Sequence, residues 1–316
     1  MDWSPSGIAT TLLSGNPVVI LLTGIIAFSL PFFLHFLLYR SSPKSASRDF
    51  LLLGPSGSGK TALCSLLEQR STSQSQKPPR DTHTSQISSF IHVTLPPTVH
   101  IGSNKYRSVN DPSFKETARN PITYRLRDTP GHGKLRGSQG IALLASLSNP
   151  KRKGPDGLCG VIFMLDSATL SQSDEFLRDA ATYLHDVLMT LQNRVYRKSP
   201  LSSKKVPRIP VLVAANKQDI FAALPPGSVK AKLESEIEKI RWSRKKGLLD
   251  ASVDVLAEEE QDMLGGDEEG VPFSFQMLEE QMGIQVDVMG GEVLSDDAGN
   301  CGSGIRRWEE WVGMCL

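Results

Sequence analysis

Phe50-Leu51-Leu52-Leu53-Gly54-Pro55-Ser56-Gly57-Ser58-Gly59-Lys60-Thr61-Ala62 is an apolar run that ends in a glycine-rich turn, and helix-forming residues follow it to Arg70. Gly54 to Thr61 fits the pattern G-x4-G-K-[ST] in the strand–loop–helix setting that gives the pattern its meaning. The glycines allow successive backbone N–H groups to curl around an anionic phosphate chain without Cβ clashes. The helix N-terminus adds unsatisfied donors and the positive end of a dipole. In such a loop Lys60 reaches the β- and γ-phosphates, and the Thr61 hydroxyl is placed to ligate Mg²⁺. Ala62 opens the helix beside them.

Two further strand ends carry matching chemistry. Ile122 to Leu126 leads into Asp128-Thr129-Pro130-Gly131, a D-x-x-G turn. There the aspartate holds Mg²⁺ through a water and the Gly131 N–H meets the γ-phosphate. Val211 to Ala215 reads as a buried parallel strand and delivers Asn216-Lys217-Gln218-Asp219. A carboxylate at Asp219 accepts from N1–H and the N2 amine of guanine, a donor pair that adenine lacks. Lys217 is expected along the base, and Asn216 to tie the loops together. Three such motifs in this order, each at a strand's carboxyl end, predict a domain that binds GTP and GDP with Mg²⁺.

The full chain has 316 residues, with 35 basic and 34 acidic side chains and a net charge of +1. That balance argues against direct nucleic-acid binding. Cys64, Cys159, Cys301 and Cys315 are scattered without metal spacing and fit free thiols in a reducing compartment. Val18 to Tyr39 is a 22-residue run lacking Asp, Glu, Lys and Arg, and 15 of its residues are Val, Ile, Leu or Phe. Its length suits a bilayer core of about 30 Å. Arg40, Lys44 and Arg48 follow it, whereas only Asp2 is charged before it, so the basic flank predicts a single span with the nucleotide domain in the cytosol. The expected plan is a short luminal segment 1–17, a transmembrane helix 18–39, a linker 40–49 and a nucleotide domain 50–316.

Within that domain, Ile87 to Val93, Gly160 to Asp166 and Ile284 to Val288 read as further strands. Ser173 is placed to cap a helix to about Arg194, and helices are expected over Ser228 to Lys246 and Ile305 to Met314. Leu95 to Asn120 reads as an excursion between strands. Gly247 to Gly270 holds nine acidic and no basic residues and is expected to be a disordered insertion. Alternating strands and helices predict an α/β, doubly wound, mostly parallel sheet.

Several motifs resemble those of one family, the beta subunit of the signal recognition particle receptor. They are the phosphate loop, Asp81-Thr82-His83-Thr84-Ser85, Pro130-Gly131-His132-Gly133-Lys134-Leu135-Arg136, Asp166-Ser167-Ala168 and Asn216 to Ile220. The resemblance covers the apolar span and most of residues 50–245. It implies a Ras- or Arf-like GTPase domain behind a single endoplasmic reticulum anchor. It also implies a partner, the receptor alpha subunit, bound through a longin-like domain and linked through it to ribosome and translocon. By the same resemblance Thr84, with Thr82 as second choice, completes the Mg²⁺ shell. His132 stands where Ras-like enzymes carry a water-positioning glutamine, so it is the candidate catalytic residue, and slow turnover is expected. The family's last guanine-loop motif is absent, with Gly290-Gly291-Glu292-Val293 in its place.

Overall fold

The computed structural model describes residues 17–40, 48–71, 82–99, 102, 121–148, 158–196, 209–251, 263–265, 272–293 and 303–316. The chain forms two compact units, residues 1–46 and 47–316. Among its described residues the first contains a helix, α1 (Pro17–Arg40), with Pro31 inside it. Val18, Phe28, Phe32 and Phe33 on it are each more than 60% exposed. Among the fully described residues no helix is long and apolar enough to cross a membrane. Yet α1 itself has 24 residues and no charge before Arg40. Many of its side chains lie outside the described set, so the case for a span rests on the sequence.

In the second unit the order is β1 (Asp49–Leu53), α2 (Lys60–Ser71), β2 (Ser89–Thr94) and β3 (Thr123–Asp128). A short helical turn α3 (Gly133–Leu135), a π-helical segment (Arg136–Ile141) and α4 (Ala142–Leu147) follow. Then come β4 (Leu158–Asp166), α5 (Thr169–Gln172), α6 (Asp174–Tyr196) and β5 (Val211–Asn216). The chain closes with α7 (Pro226–Ala251), α8 (Phe275–Met282), β6 (Val286–Gly290) and α9 (Ser303–Cys315). The sheet has six strands in the order β2-β3-β1-β4-β5-β6. Only β2 runs antiparallel to its neighbour. The α/β, doubly wound, mostly parallel sheet expected from the alternating pattern is present.

Strand alternation sorts the core into two layers. Leu51, Leu53, Val161, Phe163, Leu165, Val211 and Val213 face α6, α7 and α8. Phe50, Leu52, Ile162, Met164 and Leu212 face α2 and α9, where Trp308 and Trp311 fill the space. Both faces of β1, β4 and β5 are therefore buried, which is why their sequences are continuous apolar runs. With both faces held, the carboxyl ends of β1, β3, β4 and β5 form a fixed rim for the loops.

Some expectations need correction. Residues 247–270 are not wholly an insertion outside the core. The helix α7 continues through Ala251, and Leu264 is fully buried. The Gln192 side chain holds this short segment by donating to the Met263 carbonyl at 2.7 Å and accepting from Gly265 N–H at 2.8 Å. Leu264 in the core and the Gln192 amide on the backbone to either side of it dock the segment together. The helix expected from Ser228 begins at Pro226, where proline's missing N–H costs nothing. The last strand is β6 at Val286–Gly290, displaced from the expected 284–288. The start of the Leu95–Asn120 excursion is anchored, with Leu95 and Val99 buried and the Gly102 N–H donating to Gly313 O. Residues 103–120 lie outside the described set, as do the short N-terminal segment 1–16 and most of the linker 40–49.

Candidate functional site

The phosphate loop joins β1 to α2. Ser58 donates from Oγ to the Pro55 carbonyl at 2.9 Å, closing the turn on itself. Gly59 has φ +95°, and a Cβ there would collide with the Asn216 amide. Lys60 folds back under the loop and donates from Nζ to Gly54 O and Pro55 O at 2.8 and 2.7 Å. Burial pulls its pKa down to about 8, against an upward pull from Asp128. A cation held against carbonyls and partly desolvated is poised to move onto an anion, where it is better compensated.

The second switch follows β3. Asp128 is buried, and burial raises its pKa against the hydrogen bond from Thr61 and the Lys60 charge. Thr61 Oγ1 donates to Asp128 Oδ2 at 2.9 Å. A Cβ at Gly131 would come within 2.6 Å of both Lys60 Nζ and Ser56 N, so only glycine lets this turn touch the phosphate loop. His132 is exposed. Its Nδ1 accepts from the Lys134 N–H at 3.4 Å and so caps the turn α3. Arg136 fastens this segment. It donates to Gly131 O at 2.8 Å, forms a fork on Asp179 at 2.7 Å, and lies over the Tyr183 ring at 4.9 Å.

Thr82, His83, Thr84 and Ser85 line one cleft with Ser56 to Ala62, Thr129 and Gly131, about 170 Å³ in volume. The first-switch hydroxyl that reaches the metal-type cluster is Ser85. Its Oγ lies 2.9 Å from Thr61 Oγ1 and 3.2 Å from Asp128 Oδ2. The sequence motif contained this residue, but the resemblance pointed to Thr84, with Thr82 second and spacing unable to separate the two, and the irregular backbone of 82–88 has no period to say which hydroxyl turns inward. Thr61, Ser85 and Asp128 together offer hard oxygen donors, and Asp128 Oδ1 is buried without a hydrogen-bond partner among the described residues. This donor set fits Mg²⁺, which prefers oxygen ligands and one or two carboxylates beside substrate phosphates.

At the other end, β5 delivers Asn216. Its amide donates to Ser58 O at 2.9 Å and accepts from the Val293 N–H at 3.2 Å. Lys217 has φ +63°, unusual for a residue with a side chain. Its Nζ donates to Asp166 Oδ2 at 2.6 Å. Burial pushes the Asp166 carboxyl up, but the bonds from Lys217 and Thr169 outweigh it and hold the pKa below the usual range. Asp219 stands exposed beyond them. Backbone bonds add to the Asn216–Val293 contact in docking the 290–293 loop, with Gly291 N–H donating to Ala215 O and Gln218 N–H to Gly291 O at 3.0 and 3.2 Å. Asp166 is thus a site-shaping residue visible in the sequence only as part of Asp166-Ser167-Ala168.

Comparison with known proteins agrees with this geometry. The family model of the signal recognition particle receptor beta subunit matches residues 45–282. Signal recognition particle receptor subunit beta of Saccharomyces cerevisiae is 26% identical over 272 residues, covering 85% of this chain and 84% of that protein. The solved SRb-GTP/SRX complex from Chaetomium thermophilum is 32% identical, with a TM-score of 0.62 over 84% of this chain and 98% of that one. The SRb-GDP-Mg structure from the same organism is 34% identical with a TM-score of 0.55, over 86% and 99% of the two chains. The chain belongs to the signal recognition particle receptor beta subunit family.

Proposed function

We propose that this chain binds GTP and GDP with Mg²⁺ and uses the γ-phosphate as an assembly signal. The observation that carries the reading is the convergence of Thr61, Ser85 and Asp128 beneath the phosphate loop, with a buried Asp128 oxygen that has no hydrogen-bond partner among the described residues. When bound, Mg²⁺ neutralises charge on the β- and γ-phosphates. Thr61 and either Thr84 or Ser85 would hold it, with Asp128 acting through a water. Lys60 would leave its loop carbonyls to hold the phosphates, and the Gly131 N–H would be the donor for the γ-phosphate. The cleft volume falls short of the about 300 Å³ at the lower end for whole ligands. The base would therefore lie outside it, along Lys217 and against Asp219.

In this reading the partner is the receptor alpha subunit, engaged through its longin-like domain by the GTP form, at residues 81–90 and 131–140. Ile87 and Phe90, 78% and 56% exposed, supply apolar surface there. What supports the partner is the SRb-GTP/SRX neighbour. Together the two subunits would bring ribosomes to the endoplasmic reticulum translocon. What supports a membrane anchor is the uncharged run 18–39 with its basic flank. His132 caps its own turn, in keeping with slow hydrolysis and a long-lived GTP state.

The test is a pull-down from detergent extract with GTP- and GDP-loaded full chain. The alpha subunit is expected with the GTP form alone. Equal recovery with both would favour a structural tether in which nucleotide only completes the fold.

A further inference from the structure

The π-helical segment Arg136–Ile141 carries Gln139, which no motif singles out. Its Oε1 accepts from the Ser88 N–H at 2.9 Å, and its Nε2 donates to Gln86 O at 3.0 Å. These two backbone groups flank Ile87 and point to the same side of the chain. A neighbouring parallel strand would satisfy the same pair through the N–H and C=O of one residue. The amide of Gln139 therefore pins both backbone groups that flank the bend at Ile87, in the irregular segment that enters β2.

The placement of that contact matters more than its strength. Gln86 directly follows Ser85, whose hydroxyl touches Thr61 and Asp128. On the other side, Arg136 ties the same π segment to the Gly131 carbonyl and to Asp179 on α6. A continuous path runs from Gly131 through Arg136 and Gln139 to residues 86–88, and from there along the chain to Ser85. The π geometry, common at functional positions, adds a residue to the turn and changes which side chains face β2. The latch contains no formal charge, so ionic strength does not screen it.

We propose that Gln139 is the positioning residue that registers the first switch on the second, so that the placement of Ser85 follows the placement of Gly131. The proposal rests on the GTP-switch reading above and names the side chain through which its two switches act together. Its target is the segment carrying Ile87 and Phe90, so the latch also sets the presentation of that apolar surface.

The experiment uses the full chain in detergent, loaded with Mg²⁺ and a slowly hydrolysed GTP analogue. Gln139→Met keeps the volume and loses the amide. Gln139→Glu keeps an acceptor for Ser88 but opposes a second oxygen to the Gln86 carbonyl. Hydrogen exchange at residues 86–88 should speed up about thirtyfold in Gln139→Met, which loses two net hydrogen bonds of about 1 kcal/mol each, and less in Gln139→Glu, which keeps the one from Ser88. The Mg²⁺ concentration needed to retain nucleotide should rise about threefold or more, while preference for GTP over ATP stays as in the wild type. A merely structural glutamine would lower thermal stability without moving the Mg²⁺ dependence. Wild-type exchange and Mg²⁺ dependence in Gln139→Met would overturn the latch and leave the GTP reading standing. A wild-type chain that retains no guanine nucleotide would overturn both.

Discussion

At the base end of the cleft Asn216 uses both functions of its amide on neighbours, Ser58 O and Val293 N–H, and Lys217 is held by Asp166. At the phosphate end Asp128 leaves Oδ1 buried and unpartnered among the described residues, and Lys60 rests on carbonyls with its pKa pulled down to about 8 by burial. Both ends are formed by loops at strand termini, yet at one Asn216 and Lys217 are held by protein partners behind an exposed Asp219, and the other is polarised toward something that is not protein. A closed hydrogen-bond set stabilises the fold whatever is bound. Desolvated charges with incomplete partners destabilise it until a ligand arrives. The difference separates residues that build the site from residues that respond to it.

The sharpest way to break this comparison is at its joint. Asn216→Ala strands the Ser58 carbonyl and the Val293 N–H, so it should lower stability by about 2–4 kcal/mol with or without nucleotide. Urea unfolding checks this. A loss seen only in the nucleotide-loaded protein would place Asn216 on the responding side.

Lys60 supplies the opposite case. Its folded pKa lies below the ordinary lysine value of 10.5, at about 8. The unfolded chain then binds more protons between those values, so ligand-free stability should rise with pH from about 8 to about 10.5. Lys60→Met should flatten that slope, keep the ligand-free fold and abolish nucleotide-induced stabilisation. Unfolding free energies across that pH range, with and without GTP, decide the matter.

Within the phosphate end, the hydroxyls can be ranked. Ser85→Ala should raise the Mg²⁺ concentration needed to retain nucleotide about tenfold, the worth of one contact to a charged centre. Thr84→Ala should raise it less. The reverse order would return the metal contact to Thr84. The smallest effect is expected at His132, whose imidazole serves its own turn. His132→Ala should change GTP affinity by less than about threefold, the scale of a weak cap, and single-turnover hydrolysis should stay slow.

Which of these features were legible follows from the regularity of the backbone carrying them. Strands β1, β4 and β5, buried on both faces, show as unbroken apolar runs, and the motifs at their ends lie where those runs stop. The rim residues Lys60 and Asn216 follow from those motifs, and Asp128 from the D-x-x-G turn that ends the alternating strand β3. Helix α8 was not, because eight residues give a short period. Its signals were present, though: Ser274 accepts from the Met277 N–H, and Gly283 closes the helix with φ +67°. Ser85 and Gln139 lie in segments of irregular or π-helical backbone, where neither the helical nor the strand period predicts which side chains turn inward. Leu264 was hidden by the acidic residues around it, since composition averages over the one residue that docks.

The central claim is that the base end reads guanine through Asp219 while the phosphate end waits for a phosphate chain and its cation. Equilibrium competition of GTP, GDP and ATP for a fluorescent guanine nucleotide on the full chain in detergent, with Mg²⁺, tests it most directly. Two charge-assisted bonds of about 1.5–3 kcal/mol each predict that GTP and GDP compete at least about a hundredfold better than ATP, and that Asp219→Asn erases most of that preference. Equal competition by ATP, or an unchanged preference in Asp219→Asn, would contradict it.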